Sequence, residues 1–257
     1  MKSVNEKRFT GIIPARYAST RFPGKALAVI GGKSMIQRVY EQSCKALSEV
    51  FVATDDKRIE DAVLGFGGKV IMTSVNHSSG TDRCSEAADK IEKETLKPLD
   101  VIINIQGDEP FIKPEQISLL MSCFNDKSVE IATLIRKVEE GEDLFNPNEP
   151  KVVISSSGDA LYFSRSTIPF FRDADKSEWS YRHTYYKHPG LYAYKKETLK
   201  RLTMLKQSSL EMTESLEQNR WIENNFKIRT AITDWDSIGI DTPEDLIKVK
   251  ELLKYFD

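Results

Sequence analysis

Residues 12–25 read IIPARYASTRFPGK. Two strand-forming residues lead into a proline, and the next eleven residues contain Arg16, Arg21 and Lys25, a serine, a threonine and one glycine. Ligands of open α/β sheets bind at the carboxyl ends of the strands, which is where this segment begins. Cations together with the backbone N–H groups of a tight turn are typical of a polyphosphate site. Charge counting alone does not separate such a site from a solvated basic loop.

The pattern that follows predicts alternating strands and helices. Apolar strands are expected at 9–13, 49–54, 69–73 and 101–105, and amphipathic helices at 35–47, 57–66, 81–94 and 114–123. The strands EVFVAT and VIINI are almost continuously apolar, which is typical of strands that are buried on both faces. We therefore predict a Rossmann-like α/β fold, with a mostly parallel sheet and helices on both faces.

The pattern changes after residue 130. Strands are expected at 131–138, 151–155, 160–164 and 191–194, a helix at 210–224, a last strand at 228–233 and a last helix at 243–254. The segment 173–186 is polar and aromatic and has no clear period. We expect one domain over residues 1–257 with a β-rich insertion at about 130–190.

Composition excludes several classes of protein. The 257 residues include 37 Lys and Arg against 39 Asp and Glu, a net charge of −2, so a broad nucleic-acid surface is not expected. We see no apolar run of the roughly 20 residues that a membrane span needs, and no signal peptide. Three widely spaced cysteines predict neither a disulfide framework nor a zinc site. We expect a cytoplasmic protein.

Two acidic segments bear on metal chemistry. QGDEPFI (106–112) follows the strand VIINI, and GIDTPEDL (239–246) precedes the last helix. Glu244 and Asp245 fit the first turn of that helix, where they would offset its dipole. Asp241 comes too early for that role. Together with Asp108 it would suit Mg²⁺, which takes one or two carboxylates plus phosphate oxygens. This combination favours metal-assisted phosphoryl or nucleotidyl transfer.

The order of motifs resembles that of the 3-deoxy-manno-octulosonate (KDO) cytidylyltransferases. The matching segments are IIPARYASTRFPGKAL, VATDD, MTSVNHSSGTDR, INIQGDEP, ALYFSR, KHPGLYAY, LEMTESLEQNR and GIDTPEDL, and they span nearly the whole chain. The first loop alone would indicate only the wider superfamily of sugar nucleotidyltransferases. The resemblance implies a homodimeric Mg²⁺-dependent enzyme with a nucleotide-diphospho-sugar transferase fold. Such an enzyme joins CTP and KDO into CMP-KDO and pyrophosphate, for lipopolysaccharide synthesis.

The resemblance also implies roles for individual residues. Arg16, Lys25 and Ser19 would hold the triphosphate of CTP, and Ser79, Gly80 and Arg83 would lie at the cytidine. Gln106 would contact the sugar, and Asp108 and Asp241 would bind Mg²⁺. The KDO pocket would be lined by Arg165, His188, Tyr192, Glu214 and Glu217. Lys25, Arg16, Asp108 and Asp241 are the expected catalytic residues.

Without the family resemblance, the residues do not establish which side chains form the sugar pocket. Arg165 offers a planar fork for a carboxylate. Glu214 and Glu217 are three apart and would share one helix face, which in isolation is more typical of a solvated acidic face. His188 could equally pack between strands, and of Tyr192 and Tyr194 one ring should face the core.

Two features bear on which sugar acid is used. The family pattern has an aliphatic residue where this chain has Pro189, and the segment 173–186 is a long excursion beside the expected pocket. A CMP-sialate synthetase, or an enzyme for an amino-substituted KDO, would keep the same mechanism. A nucleotide-binding module without turnover is the alternative from another class, but the aspartates and the loop lysine argue against it.

Overall fold

Strands and helices alternate through the first half of the computed structural model, which describes residues 7–18, 22–236, 239–240 and 242–250. The strands are β1 (Phe9–Ala15), β2 (Val29–Ile30), β3 (Lys33–Ser34), β4 (Val50–Thr54), β5 (Val70–Met72) and β6 (Val101–Asn104). The helices are α1 (Met35–Cys44), α2 (Lys57–Gly65), α3 (Gly80–Thr95) and α4 (Pro114–Ser122). Each predicted element of this half is present.

The second half contains the remaining strands and shorter helices. The strands are β7 (Ile131–Lys137), β8 (Lys151–Ile154), β9 (Ala160–Ser164), β10 (Tyr186–Lys187), β11 (Tyr192–Lys195) and β12 (Ile228–Ile232). The helices are α5 (Trp179–Arg182), α6 (Lys196–Thr203), α7 (Ser209–Glu214), α8 (Glu217–Glu223) and α9 (Pro243–Lys250). The sequence pattern missed β10, α5 and α6. Across the described residues, every helix is too short or too polar to cross a bilayer.

The chain divides into two compact units. Unit 1 comprises Met1–Ser118, Ala193–Thr203 and Ser237–Asp257, and unit 2 comprises Leu119–Tyr192 and Met204–Asp236.

Unit 1 contains the parallel sheet that the sequence predicts. Its strand order is β5-β4-β1-β6-β11, and the pairs β5–β4, β4–β1 and β1–β6 are all parallel. Every residue of β4 and of β6 is buried, because helices cover both faces of the sheet. The predicted fold class, a mostly parallel α/β sheet flanked by helices, is confirmed.

Unit 2 is richer in antiparallel pairs. Strand β12 runs parallel to β7, whereas β7–β10, β10–β8 and β8–β9 are antiparallel. Val138, Leu144, Trp179 and Tyr185 form a buried cluster beside this sheet. Trp179 and Tyr185 come from the segment 173–186, so this polar stretch contributes apolar anchors to the core.

The single helix expected over residues 210–224 is wrong, because the helix is broken between α7 and α8. Ser215 has a left-handed backbone (φ 52°), which ends α7. The Arg165 guanidinium donates to the carbonyl oxygens of Glu214 (2.7 Å) and Ser215 (3.4 Å), so these groups are satisfied without a further helical turn. Glu214 and Glu217 consequently lie on two helices and do not share one helix face.

The burial of β6 makes a stability prediction. Ile103 is fully buried in this strand, whereas Ile247 on α9 is 68% exposed. Ile103→Ala should therefore lower the free energy of unfolding by about 2–5 kcal/mol, from lost burial and the cavity left behind. Ile247→Ala is the matched control and should change it by less than about 0.5 kcal/mol. Urea unfolding followed by circular dichroism measures both, and equal losses would contradict the two-sided burial of β6.

Candidate active site

A cavity of about 330 Å³ lies in unit 1, where β1 and β6 end and α3 begins. It is lined by seven of the expected site residues: Arg16 and Lys25 for the triphosphate, Ser79, Gly80 and Arg83 for the cytidine, Gln106 for the sugar and Asp108 for the metal. These positions come from three separate segments of the sequence, and the parallel sheet brings them to one edge. Two further expected residues, Ser19 and Asp241, fall outside the described residues.

An ion pair joins the first loop to the segment after β6. Lys25 Nζ donates to Asp108 Oδ2 at 2.6 Å, and the two side chains are 16% and 31% exposed. Gly24 precedes the lysine with a left-handed backbone (φ 72°), and its N–H donates to the carbonyl of Tyr17 at 2.9 Å. This turn aims Lys25 into the cavity, as the Pro23-Gly24 pair predicts.

Asp108 is also bonded to the segment that contains the second predicted metal ligand. The N–H of Ile240 donates to the carbonyl of Asp108 at 2.9 Å, although the two residues are 132 positions apart. Ile240 is the residue before Asp241, so the GIDTPEDL segment reaches the QGDEP segment. Its helix begins as predicted, with Thr242 Oγ1 accepting from the N–H of Asp245 at 3.3 Å.

Gly107 permits a close approach between β1 and the QGDEP segment. A Cβ atom at Gly107 would lie 3.1 Å from the carbonyl oxygen of Pro14. A larger residue would force the backbone before Asp108 away from the end of β1.

The amino end of α3 forms another part of the cavity wall. Ser79 caps this helix, because its Oγ accepts from the N–H of Asp82 at 3.1 Å. Gly80 is the first helical residue, so the partial positive charge of a 16-residue helix faces the cavity.

Arg83 is fixed by a partner that the sequence did not suggest. Its guanidinium donates to Asp55 Oδ2 at 3.0 Å and to Thr73 Oγ1 at 2.6 Å, and Arg83 is only 4% exposed. Asp55 lies in VATDD, directly after β4. Its strand-end position, shared with Asp108, is the signal that could have identified it. Asp55 balances the buried cation and fixes the orientation of the guanidinium.

His77 is a second cavity residue that sequence analysis missed. Its Nε2 contacts the Glu86 carboxylate on α3. It lies within MTSVNHSSGTDR, but the sequence analysis assigned only a serine, the glycine and the arginine of that segment to the site.

The surroundings of Asp108 fit Mg²⁺, which takes few protein ligands, better than they fit a metal that is bound only by protein side chains. Within the described part of the chain, His, Cys, Asp and Glu side chains form no cluster of three or more that could hold a metal ion. One carboxylate at a cation-rich cavity matches the preference of Mg²⁺ for few protein ligands and several phosphate or water oxygens.

In unit 2, Arg165 and Glu214 lie together. Glu214 accepts from Ser164 Oγ (2.6 Å), the Arg165 N–H (2.9 Å) and Tyr162 OH (3.2 Å). Burial raises the pKa of this carboxyl, but these hydrogen bonds outweigh burial and hold the pKa below its usual value. The Arg165 guanidinium donates to backbone carbonyls, including that of Pro147 (3.0 Å). Glu214 is thus an ionised acceptor in a fixed orientation.

His188 and Tyr192 form an aromatic group in the same unit. The His188 ring lies 4.9 Å from Phe163 and 5.1 Å from Tyr192, and Tyr192 lies 5.0 Å from Trp221. Thr133 donates its hydroxyl proton to the carbonyl of Leu191 (2.7 Å), so His188 Nε2, at 2.9 Å, must donate to Thr133 Oγ1.

The other expected sugar residues have protein partners. Glu217 accepts from Arg220 Nη2 at 2.6 Å. Tyr192 and Tyr194 are both buried, whereas the sequence predicted that one of the two rings faces the core.

Comparisons with known proteins agree with this geometry. A family model described as cytidylyltransferase matches residues 10–228. The 3-deoxy-manno-octulosonate cytidylyltransferase of Bacteroides thetaiotaomicron is 58% identical over 250 residues, covering 96% of this chain and 98% of that protein. The protein of the same name from Parabacteroides distasonis is 57% identical, with the same coverage. This chain belongs to the 3-deoxy-manno-octulosonate cytidylyltransferase family.

A solved structure supports the membership. A CMP:2-keto-3-deoxy-manno-octonic acid synthetase complexed with CTP is 42% identical, with a TM-score of 0.89 over 98% of this chain and 100% of that one. The family resemblance read from the sequence motifs is therefore confirmed.

The environment of His188 predicts a pH dependence of stability. Part of the residue reaches solvent, yet burial of its ring lowers the pKa to about 3, because the charged form would lose hydration. Between the unfolded value near pH 6.5 and pH 3, the unfolded chain binds a proton that the folded ring excludes. The contribution of the neutral His188 ring to the free energy of unfolding is thus complete above pH 6.5 and is lost as pH falls toward 3.

Replacement of this histidine tests the predicted direction of the pH dependence. His188→Asn should flatten the decrease in unfolding free energy between pH 6.5 and pH 4.5, measured by urea unfolding at each pH. His183→Asn is the matched control, because His183 is exposed. An unchanged pH profile in the His188 variant would contradict the buried neutral ring.

Proposed function

We propose that this chain catalyses the transfer of a cytidylyl group from CTP to KDO, giving CMP-KDO and pyrophosphate for lipopolysaccharide core synthesis. The observation that carries the proposal is the cavity in which Lys25 and Asp108 meet, in a chain 58% identical to a named 3-deoxy-manno-octulosonate cytidylyltransferase. A solved family structure is complexed with CTP, which supports CTP as the nucleotide here.

In this proposal Arg16, Lys25 and Ser19 bind the triphosphate. Arg16 and Lys25 line the cavity, and both are cations near the end of β1 in a chain whose net charge is slightly negative. The Lys25 ammonium can exchange its contact with Asp108 for phosphate oxygens. We assign the cytidine to Ser79, Gly80 and Arg83, supported by the capped amino end of α3 and by the fixed guanidinium of Arg83.

We assign Asp108 and Asp241 as the residues that hold Mg²⁺. The hydrogen bond from Ile240 to Asp108 supports this assignment, because it ties the segment before Asp241 to the other carboxylate. When bound, Mg²⁺ would neutralise charge at the α-phosphate and make the KDO hydroxyl more acidic.

In unit 2 we assign Arg165, His188, Tyr192, Glu214 and Glu217 to the KDO acceptor. In unit 1 we assign Gln106, which lines the cavity, to the sugar. A sugar acid with many hydroxyls needs a cation for its carboxylate and fixed acceptors for its hydroxyls. The ionised Glu214 carboxylate beside Arg165 supports such a role. Glu217 is the weakest member of this set, because its carboxylate is bonded to Arg220.

The reaction is an in-line displacement at phosphorus. The anomeric oxygen of KDO forms a bond to the α-phosphorus, and the bond from that phosphorus to the oxygen bridging the β-phosphorus breaks. The hydroxyl proton passes to solvent water in the same step, since we assign no side chain as its acceptor. Lys25 and Arg16 would stabilise the charge of the departing pyrophosphate, so their contribution is electrostatic and positional.

We further propose that residues 1–257 act as one nucleotidyltransferase domain in a cytoplasmic homodimer. The β-rich segment at about 130–190, which includes β7 to β10, is the proposed dimerisation element.

The proposed reaction is tested by pyrophosphate release. Four nucleoside triphosphates are each combined with KDO, an amino-substituted KDO or sialic acid, with and without Mg²⁺. We expect release only with KDO and Mg²⁺ present, and much faster release from CTP than from the other three nucleoside triphosphates. Release with sialic acid or the amino sugar and not with KDO would show that the enzyme uses a different acceptor. CTP binding without pyrophosphate release from any pair would indicate a nucleotide-binding module without turnover.

The role of Asp108 makes a sharper prediction. Asp108→Asn should lower kcat by at least about 10²–10³-fold, because charge stabilisation at the α-phosphate is lost, while CTP binding measured by calorimetry largely survives. Asp61→Asn is the control, since Asp61 is exposed on α2 and pairs only at the surface with Lys57. Near wild-type turnover by the Asp108 variant would refute the metal assignment.

A further inference from the structure

His77 has a fixed chemical partner. It lines the cavity, and its Nε2 contacts Glu86 Oε2, with the two side chains 18% and 26% exposed. Nothing in the proposed triphosphate or metal chemistry uses this imidazole.

Glu86 is held as an ionised acceptor. Its Oε2 accepts from the N–H of Ser74 at 2.9 Å, and its Oε1 lies 2.8 Å from Lys90 Nζ. Burial raises the pKa of this carboxyl, but Lys90, the Ser74 N–H and His77 outweigh burial and lower the pKa to about 2. Glu86 therefore has no proton to donate at neutral pH. The proton between the two side chains belongs to His77 Nε2.

This contact determines what the rest of the ring can do. A neutral imidazole has one nitrogen that donates and one that accepts. With Nε2 donating to Glu86, Nδ1 of the neutral ring is an acceptor. Neighbouring groups of the cavity wall are committed elsewhere: Ser78 Oγ donates to Asp82 (2.9 Å), and Arg83 donates to Asp55 and Thr73.

The sheet order indicates which end of a nucleotide His77 would contact. His77 follows β5, whereas Asp108 follows β6, and the order is β5-β4-β1-β6. Three strand spacings of about 4.8 Å separate β5 from β6, or roughly 14 Å. With the phosphates and metal assigned to the segments after β1 and β6, the segment after β5 lies toward the nucleoside.

We propose that His77, oriented by Glu86, is a specificity residue that accepts a hydrogen bond from the 4-amino group of cytosine. This inference rests on the proposed CTP site. Cytosine presents a donor at position 4, whereas uracil presents an acceptor oxygen there. An acceptor fixed at His77 Nδ1 pairs with the amino group of cytosine and repels the oxygen of uracil. Bound UTP would therefore lack this hydrogen bond and leave Nδ1 unpaired.

Kinetic discrimination between CTP and UTP tests the proposal. In pyrophosphate-release assays with KDO, His77→Ala should lower kcat/KM for CTP by about 10-fold and raise kcat/KM for UTP, because the repulsion of the uracil oxygen is removed. His77→Asn keeps a side-chain oxygen near the position of Nδ1 and should recover part of the loss. His183→Ala, at an exposed histidine of unit 2, is the matched control and should leave the CTP/UTP ratio unchanged. Equal losses on CTP and UTP, or no loss, would overturn the proposal.

A third substrate, 2′-deoxyCTP, distinguishes a contact of His77 with the ribose from a contact with the base. If His77 instead accepted from the 2′-hydroxyl, the penalty of His77→Ala would disappear with 2′-deoxyCTP, and that result would also overturn the proposal. If the cytosine contact is correct, the penalty persists with 2′-deoxyCTP.

A structural readout is independent of turnover. The chain has three histidines, so ¹⁵N NMR of the wild type can assign each tautomer. We expect His77 as the Nε2–H tautomer, with a change at Nδ1 on adding CTP and none on adding UTP. An Nδ1–H tautomer would overturn the proposal even if CTP is the substrate. If pyrophosphate release from CTP and KDO fails while the NMR result holds, the proposed function fails and the base contact stands.

Discussion

The Lys25–Asp108 ion pair is the contact on which the cavity depends. It holds the loop after β1 against the segment after β6 at 2.6 Å, and both side chains are mostly shielded from water. Such a pair gains little net stability, because desolvation offsets most of the Coulomb attraction. In the proposed function its value is positional: an ammonium and a carboxylate are kept together where a triphosphate and a divalent ion would replace each partner. The hydrogen bond from Ile240 to Asp108 brings a third segment to the same point.

Local charge, and not net charge, makes the cavity suitable for a nucleotide. The chain carries a net charge of −2, yet Arg16, Lys25 and the amino end of α3 are concentrated at one sheet edge. Groups of the cavity wall have fixed partners: Asp55 is the counter-charge of Arg83, and Glu86 accepts from the neutral His77 ring. These partners limit how the side chains can turn, so the donors and acceptors are oriented before a ligand arrives.

The sequence predicted the features that depend on local pattern. Apolar runs such as VIINI identified the buried strands, and the cavity residues Lys25 and Asp108 followed from the rule that sites form at strand ends. Pairings between distant side chains were not predictable, because no local pattern records them: Asp55 with Arg83 and Glu86 with His77 are examples. The break at Ser215 was missed for the same reason, since it depends on Arg165, some 50 positions earlier in the chain.

In the proposed mechanism, Lys25 and Asp108 give up their mutual contact, and Lys25 binds phosphate while Asp108 binds the metal ion. A crystal structure with CTP and Mg²⁺ tests it most directly. We expect that the Lys25–Asp108 contact is lost, with Lys25 on a phosphate oxygen and Asp108 on the ion. An intact Lys25–Asp108 bond, with CTP and Mg²⁺ bound away from both side chains, would contradict it.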